Sequence, residues 1–172
     1  MIRKISMAIL ITVCAILQGV VFNIFSIASI KPNLLIIITV SFGLMRGRMS
    51  GLLTGFFCGL MMDVLFPGNI GFQSLIYMWI GYLSGYCYRI FYDDDIKTPL
   101  MLTAAAELAY GLYNWAFTFL LRGKINVPFY LTRIIIPEML YTIILLIFLY
   151  NLLYKLNKLI SKADKRTIDS LV

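Results

Sequence analysis

Three acids sit inside apolar runs of this 172-residue chain: Asp63, Glu107 and Glu138. A carboxyl in such surroundings is costly, about 2.5–3.5 kcal/mol at the centre of a bilayer on insertion scales, and less near an interface. Two uses would keep it. The acids can line a ligand pocket or partner-docking site. They can also serve structure, with Asp63 and Glu138 paired to Arg122, Lys124 or Arg133 or hydrogen-bonded to fix helix register, and Glu107 bonded across helices. Burial favours the protonated carboxyl, which could then donate. Catalysis is disfavoured: there is no histidine, which removes His acid–base work and the commonest transition-metal ligand. No nucleophile–base pair, phosphate loop or metal cluster is visible. The Asp93-Asp94-Asp95 run lacks the glycine and terminal glutamate of a calcium loop, so a solvated loop is expected. The expectation is no catalytic residue, no cofactor and no metal.

The elements that must position these acids are transmembrane helices. The chain is 61% hydrophobic and 13% charged, with a mean hydropathy of +0.90. A soluble domain is nearer a quarter charged. The length allows about six spans with short loops and no separate soluble domain. Cys14, Cys58 and Cys87 are odd in number and lie in apolar runs, so buried thiols are expected rather than a disulfide framework. The net charge of +7 reads as an excess of cytoplasmic-loop cations, not as a nucleic-acid surface.

Six apolar runs are expected as spans, at about 5–30, 32–45, 49–66, 72–88, 99–121 and 137–154. The first follows Arg3 and Lys4 and holds 26 residues without a charge, too long for a signal core, and reads as a retained span. The second is short and needs Lys31 or Arg46 to snorkel, or a tilt or break. Pro67-Gly68-Asn69-Ile70-Gly71 reads as a tight turn. Residues 127–136 fit an interfacial helix or an early part of the sixth span. Residues 155–172 form a basic tail suited to anionic lipid headgroups. With both termini inside, eleven Lys and Arg residues are cytoplasmic and four are outside, which supports an N-in/C-in protein with six spans.

Small and polar residues then mark inward faces. Gly43, Gly47, Gly51, Gly55, Gly59 and Asp63 recur at a step of four, which keeps residues on one slowly drifting helical face. Without side chains, these glycines let a neighbouring backbone approach closely. The same face could instead dock another protein or a second copy of the chain. Gly81 and Gly85 form a weaker pair in the fourth helix. That helix also carries Gln73, Tyr77, Gly81, Ser84 and Tyr88 on one stripe, and the fifth carries Thr103, Glu107, Gly111, Asn114 and Thr118. Together the stripes predict a small polar interior, opening toward the outer side, with Asp63, Gln73, Glu107, Asn114 and Glu138 as its polar candidates.

In their order along the chain, several motifs resemble the rod shape-determining MreD family. They are Lys31-Pro32-Asn33, Ser41-Phe42-Gly43-Leu44-Met45-Arg46-Gly47-Arg48, Gly59-Leu60-Met61-Met62-Asp63, Pro67-Gly68-Asn69-Ile70-Gly71-Phe72 and Gly81-Tyr82-Leu83-Ser84-Gly85. The resemblance implies a non-enzymatic, multi-pass component of the bacterial plasma membrane that binds MreC and helps control lateral peptidoglycan synthesis and cell shape. It implies a complex shared with MreB, a SEDS glycosyltransferase and a class B penicillin-binding protein. The family is also similar in architecture to the substrate-binding subunits of energy-coupling-factor vitamin transporters, and such a subunit is the alternative function. A membrane enzyme using Asp63, Glu107 and Glu138 is a third reading.

Overall fold

The computed structural model describes residues 2–24, 32–65, 71–89, 96–117 and 130–169. Among these residues the chain forms six α-helices and no strand. They are α1 (Ile2–Ile24), α2 (Leu34–Arg46), α3 (Arg48–Leu65), α4 (Phe72–Tyr86), α5 (Lys97–Trp115) and α6 (Ile136–Asp169). A 3₁₀ turn, Cys87–Arg89, ends α4, and a π-turn, Leu131–Ile135, leads into α6.

The architecture is built around α2. At 13 residues it is about 20 Å long, too short for a bilayer core of about 30 Å. It is buried from Leu34 to Leu44, with α1, α3, α4, α5 and α6 packed around it. Its shortness is therefore accommodated by enclosure in protein. At its C-terminal end the Arg46 guanidinium lies 4.6 Å from the centre of the Phe42 ring.

The outer faces of the other five helices are apolar. Ile9 and Ile16 of α1, Phe57 and Val64 of α3, Trp79 and Leu83 of α4, Met101 of α5, and Ile144 and Phe148 of α6 are all exposed. A bundle with apolar side chains across its outer faces is suited to lipid. Two helical segments, Arg48–Leu65 and Leu131–Lys155, are long and apolar enough to cross a membrane.

The tightest packing is the antiparallel seam of α3 and α4, and the glycines explain it. A Cβ on Gly51 would strike the carbonyl oxygen of Gly81, and a Cβ on Gly81 that of Gly51. One on Gly55 would strike the Tyr77 carbonyl oxygen, with the carbonyl carbon at 2.7 Å. One on Gly59 would fall 2.7 Å from the Gln73 carbonyl oxygen, and one on Gly85 would fall 2.6 Å from the Arg48 nitrogen. The backbones touch at four levels, as small-residue membrane packing permits. The regular step of four nevertheless spans two helices. Gly43 belongs to α2, and Gly47 is the turn between α2 and α3, with φ of +87°. Its glycine is required by that conformation, since its nearest neighbour, Tyr88, lies 3.9 Å from where a Cβ would be.

The start of α6 differs from the simplest expectation. Ile136 N–H bonds to the Leu131 carbonyl, five residues back. Pro137 has no N–H and its ring crowds the carbonyl four residues before it, so the ladder widens into a π-turn there. Residues 131–136 are therefore the early part of this helix. The helix also runs past residue 154, through the basic tail to Asp169. All three cysteines are free; Cys14 and Cys58 are buried and Cys87 is half-buried.

Candidate functional site

Polar side chains collect where α2, α4 and α6 begin. Asp63, near the end of α3, is 5% exposed. Its carboxylate accepts bonds from Gly71 N (2.9 Å), Gln73 N (3.0 Å), Ser74 N (3.2 Å) and the Ser74 hydroxyl (2.6 Å). The first turn of any helix has N–H groups without intrahelical partners. Gly71, at the N-cap of α4, has no side chain to satisfy them. Asp63 supplies the cap from the neighbouring helix and puts negative charge at the positive end of the α4 dipole.

The start of α2 is capped in a similar way, by three elements. Asn33 Oδ1 accepts from Ile36 N at 3.3 Å, and Gln18 Oε1 of α1 accepts from Leu35 N at 3.2 Å. Asn33 N donates to the Thr142 hydroxyl of α6 at 3.1 Å. Asn33 Oδ1 also accepts from the Tyr77 hydroxyl of α4 at 2.7 Å and from Gln18 Nε2 at 3.4 Å. Tyr77 stands edge-on to Tyr110 of α5, with ring centres 5.5 Å apart. Asn33 thus ties α1, α4 and α6 to the buried end of α2.

Glu107 lies deeper, on α5, and is 2% exposed. Thr142 is its side-chain hydrogen-bond neighbour, and the charge of Glu138 acts on it from α6. Its Oε1 has no hydrogen-bond partner among the described residues. Thr103 Oγ1, one turn away on the same face of α5, also has none. Nearer the α5 C-terminus, Gln73 Nε2 donates to Asn114 Oδ1 at 3.0 Å, and Asn114 Nδ2 donates to the Tyr110 carbonyl at 3.0 Å.

The structure thus joins Gln73 with Asn114 and brings Glu107 near Glu138, while Asp63 serves the start of α4. No ion pair between these acids and Arg133 occurs among the described residues; Arg122 and Lys124 lie outside them, as do Thr118, residues 25–31 and Asp93 to Asp95. The expected polar stripes face inward at Tyr77, Gly81, Ser84, Thr103, Glu107 and Gly111. Tyr88 is exposed instead, because the tightening to a 3₁₀ turn at Cys87–Arg89 changes the phase of the helix. Gln18, Asn33 and Thr142 were not among the candidates. Two signals mark them: a lone glutamine within a long apolar run, and an asparagine directly before one, where an N-cap belongs.

A bundle that is all-helical among the described residues, with broad apolar outer faces and a buried polar network, has the build of a helical membrane protein. The family model described as rod shape-determining protein MreD matches residues 1–160. The chain belongs to that family, which has a role in rod shape determination and is part of the MreBCD shape complex. It is a shape-determining membrane family and not a known enzyme family. No curated protein and no solved structure matches the chain.

Proposed function

We propose that this chain is a non-enzymatic scaffold of the bacterial cell-elongation complex. It is a single domain of six spans in the plasma membrane, N-in and C-in, followed by a basic cytoplasmic tail that meets anionic lipid. It binds the membrane-anchored MreC and works beside a SEDS glycosyltransferase and a class B penicillin-binding protein in lateral peptidoglycan synthesis. The family match over residues 1–160 carries this reading. The seam of α3 and α4, fastened by glycines and the Asp63 cap, gives such a scaffold a rigid half. Gly51, Gly55, Gly59, Gly81 and Gly85 act inside the bundle in this reading, leaving exposed side chains such as Phe56, Phe57 and Trp79 for lipid or a partner helix.

The buried polar network favours one second reading, a substrate-binding subunit of an energy-coupling-factor vitamin transporter with the same architecture. Mass spectrometry of the protein purified gently from its own membrane separates the two. Recovery of MreC and wall-synthesis proteins is the expected result. Recovery of ATPase and coupling subunits with a bound vitamin would overturn the scaffold reading.

A further inference from the structure

The contact between α5 and α6 holds more buried oxygen than its hydrogens can serve. Thr142 has one hydroxyl hydrogen and two lone pairs. The hydrogen goes to the Glu138 carbonyl at 2.9 Å, and one lone pair accepts from Asn33 N at 3.1 Å. A hydrogen committed there cannot also serve the neighbouring Glu107 carboxyl. Glu107 Oε1 and Thr103 Oγ1 are left without partners. These groups are buried, with Thr103 and Thr142 at 0% exposure and Glu107 at 2%. An uncompensated buried carboxylate or hydroxyl is expensive, so Glu107 must take up either a proton or a cation.

We propose that Glu107, Thr103 and Thr142 form a binding site for one alkali-metal cation of the sodium class, with Glu138 supplying further negative charge from the next turn of α6. The donors are all oxygen, which selects a hard ion. With Glu107 as the one carboxylate among the direct ligands, the site suits a monovalent ion better than a calcium-like divalent one. A proton on Glu107 would engage the spare lone pair of Thr142 and leave Thr103 unserved, whereas a metal ion engages several oxygens together.

The test is thermal unfolding of the full chain in detergent, in NaCl, KCl or N-methylglucamine chloride at equal ionic strength and fixed pH. A cation bound only by the folded chain, at ten times its dissociation constant, shifts the folding equilibrium about elevenfold. Wild type should be stabilised by an alkali cation relative to N-methylglucamine. Glu107→Gln and Thr103→Val should each lose most of that increment, while Asp63→Asn, which lies outside the site, should keep it. Equal stability in all three salts would overturn the proposal, as would stabilisation by acid alone that is indifferent to the cation. An undiminished increment in either Glu107→Gln or Thr103→Val would remove that residue from the site and overturn the proposal as stated. If Glu107→Gln does not fold, the wild-type salt comparison and Thr103→Val still decide.

Discussion

Replacing Asp63 by asparagine tests the cap on α4 with little change in size. The native carboxylate accepts four bonds, three of them on Oδ2 and one, from Gln73 N, on Oδ1. The best placement of the amide keeps its oxygen at the Oδ2 position. Its NH₂ then faces the Gln73 N–H, donor against donor. Leaving that half-buried N–H unsatisfied costs about 1–3 kcal/mol, and removing the charge from the helix N-terminus costs roughly 0.3–1 kcal/mol more. Asp63→Asn should therefore lose about 1.3–4 kcal/mol, a large share of a typical stability of about 5–15 kcal/mol. Asp63→Ala, which abandons all four bonds, should lose more. Denaturant unfolding in micelles gives the free energies, and hydrogen exchange at the Gln73 and Ser74 amides localises the effect. If both variants stay within about 0.5 kcal/mol of wild type, a margin expected of uninvolved surface positions, the cap contributes nothing. Unchanged protection of the two amides would equally refute the assignment.

The seam makes a contrasting pair of predictions. Gly55→Ala forces a Cβ onto the Tyr77 carbonyl, which is backbone and cannot swing aside, so a loss of about 3 kcal/mol or more is expected. Gly55→Leu should abolish the folded peak in size-exclusion chromatography. Gly71→Ala meets nothing within 4 Å and should cost only the roughly 1–2 kcal/mol of its positive φ; a reversed order would show that the seam is loose. Tyr77→Phe deletes the 2.7 Å bond to Asn33 and should lower stability by about 1 kcal/mol in thermal unfolding. No loss would remove Tyr77 from the polar hub.

The sequence shows where small and acidic residues lie but not what faces them. The α3 glycines were legible as a contact face, because a step of four on a helix must stay on one side. Their partners on α4 depend on how the chain reverses between the helices, and a periodic pattern carries no record of that. The break at Gly47 was legible between the second and third apolar runs, whereas its positive φ, which requires the glycine, follows from no spacing. Asp63 stood out as an acid in an apolar run, yet its partners are backbone N–H groups, which no residue type announces. Asn33 and Gln18 escaped a search for charge because neutral amides are cheap to overlook and do their work only where helix starts are buried. The inward face of α5 was legible, whereas the approach of Glu107 to Glu138 required α6 to pack beside it.

The distribution of satisfied and unsatisfied groups divides the bundle functionally. At the starts of α2 and α4, Asn33 and Asp63 centre closed networks: Asp63 serves three backbone N–H groups, and Asn33 and Gln18 serve the first turn of α2. Closed networks on backbone contact resist rearrangement. Four buried atoms without a hydrogen-bond partner lie on or against α5: Thr103 Oγ1, Glu107 Oε1 and Trp115 Nε1 on the helix, and Gln73 Oε1 facing its Asn114 end; Ser41 Oγ of α2 is a further one. Gly111 adds to this, since it lies against the Ile135 side chain of the π-turn and a Cβ there would come within 2.8 Å. Unsatisfied buried oxygen, a π-turn and a small contact residue occur together at the junction of α5 and α6. That junction is held by side chains, whereas the α3–α4 seam is held by backbone against backbone. Hydrogen exchange should therefore be faster in α5 than in α3, whose backbone is locked against α4.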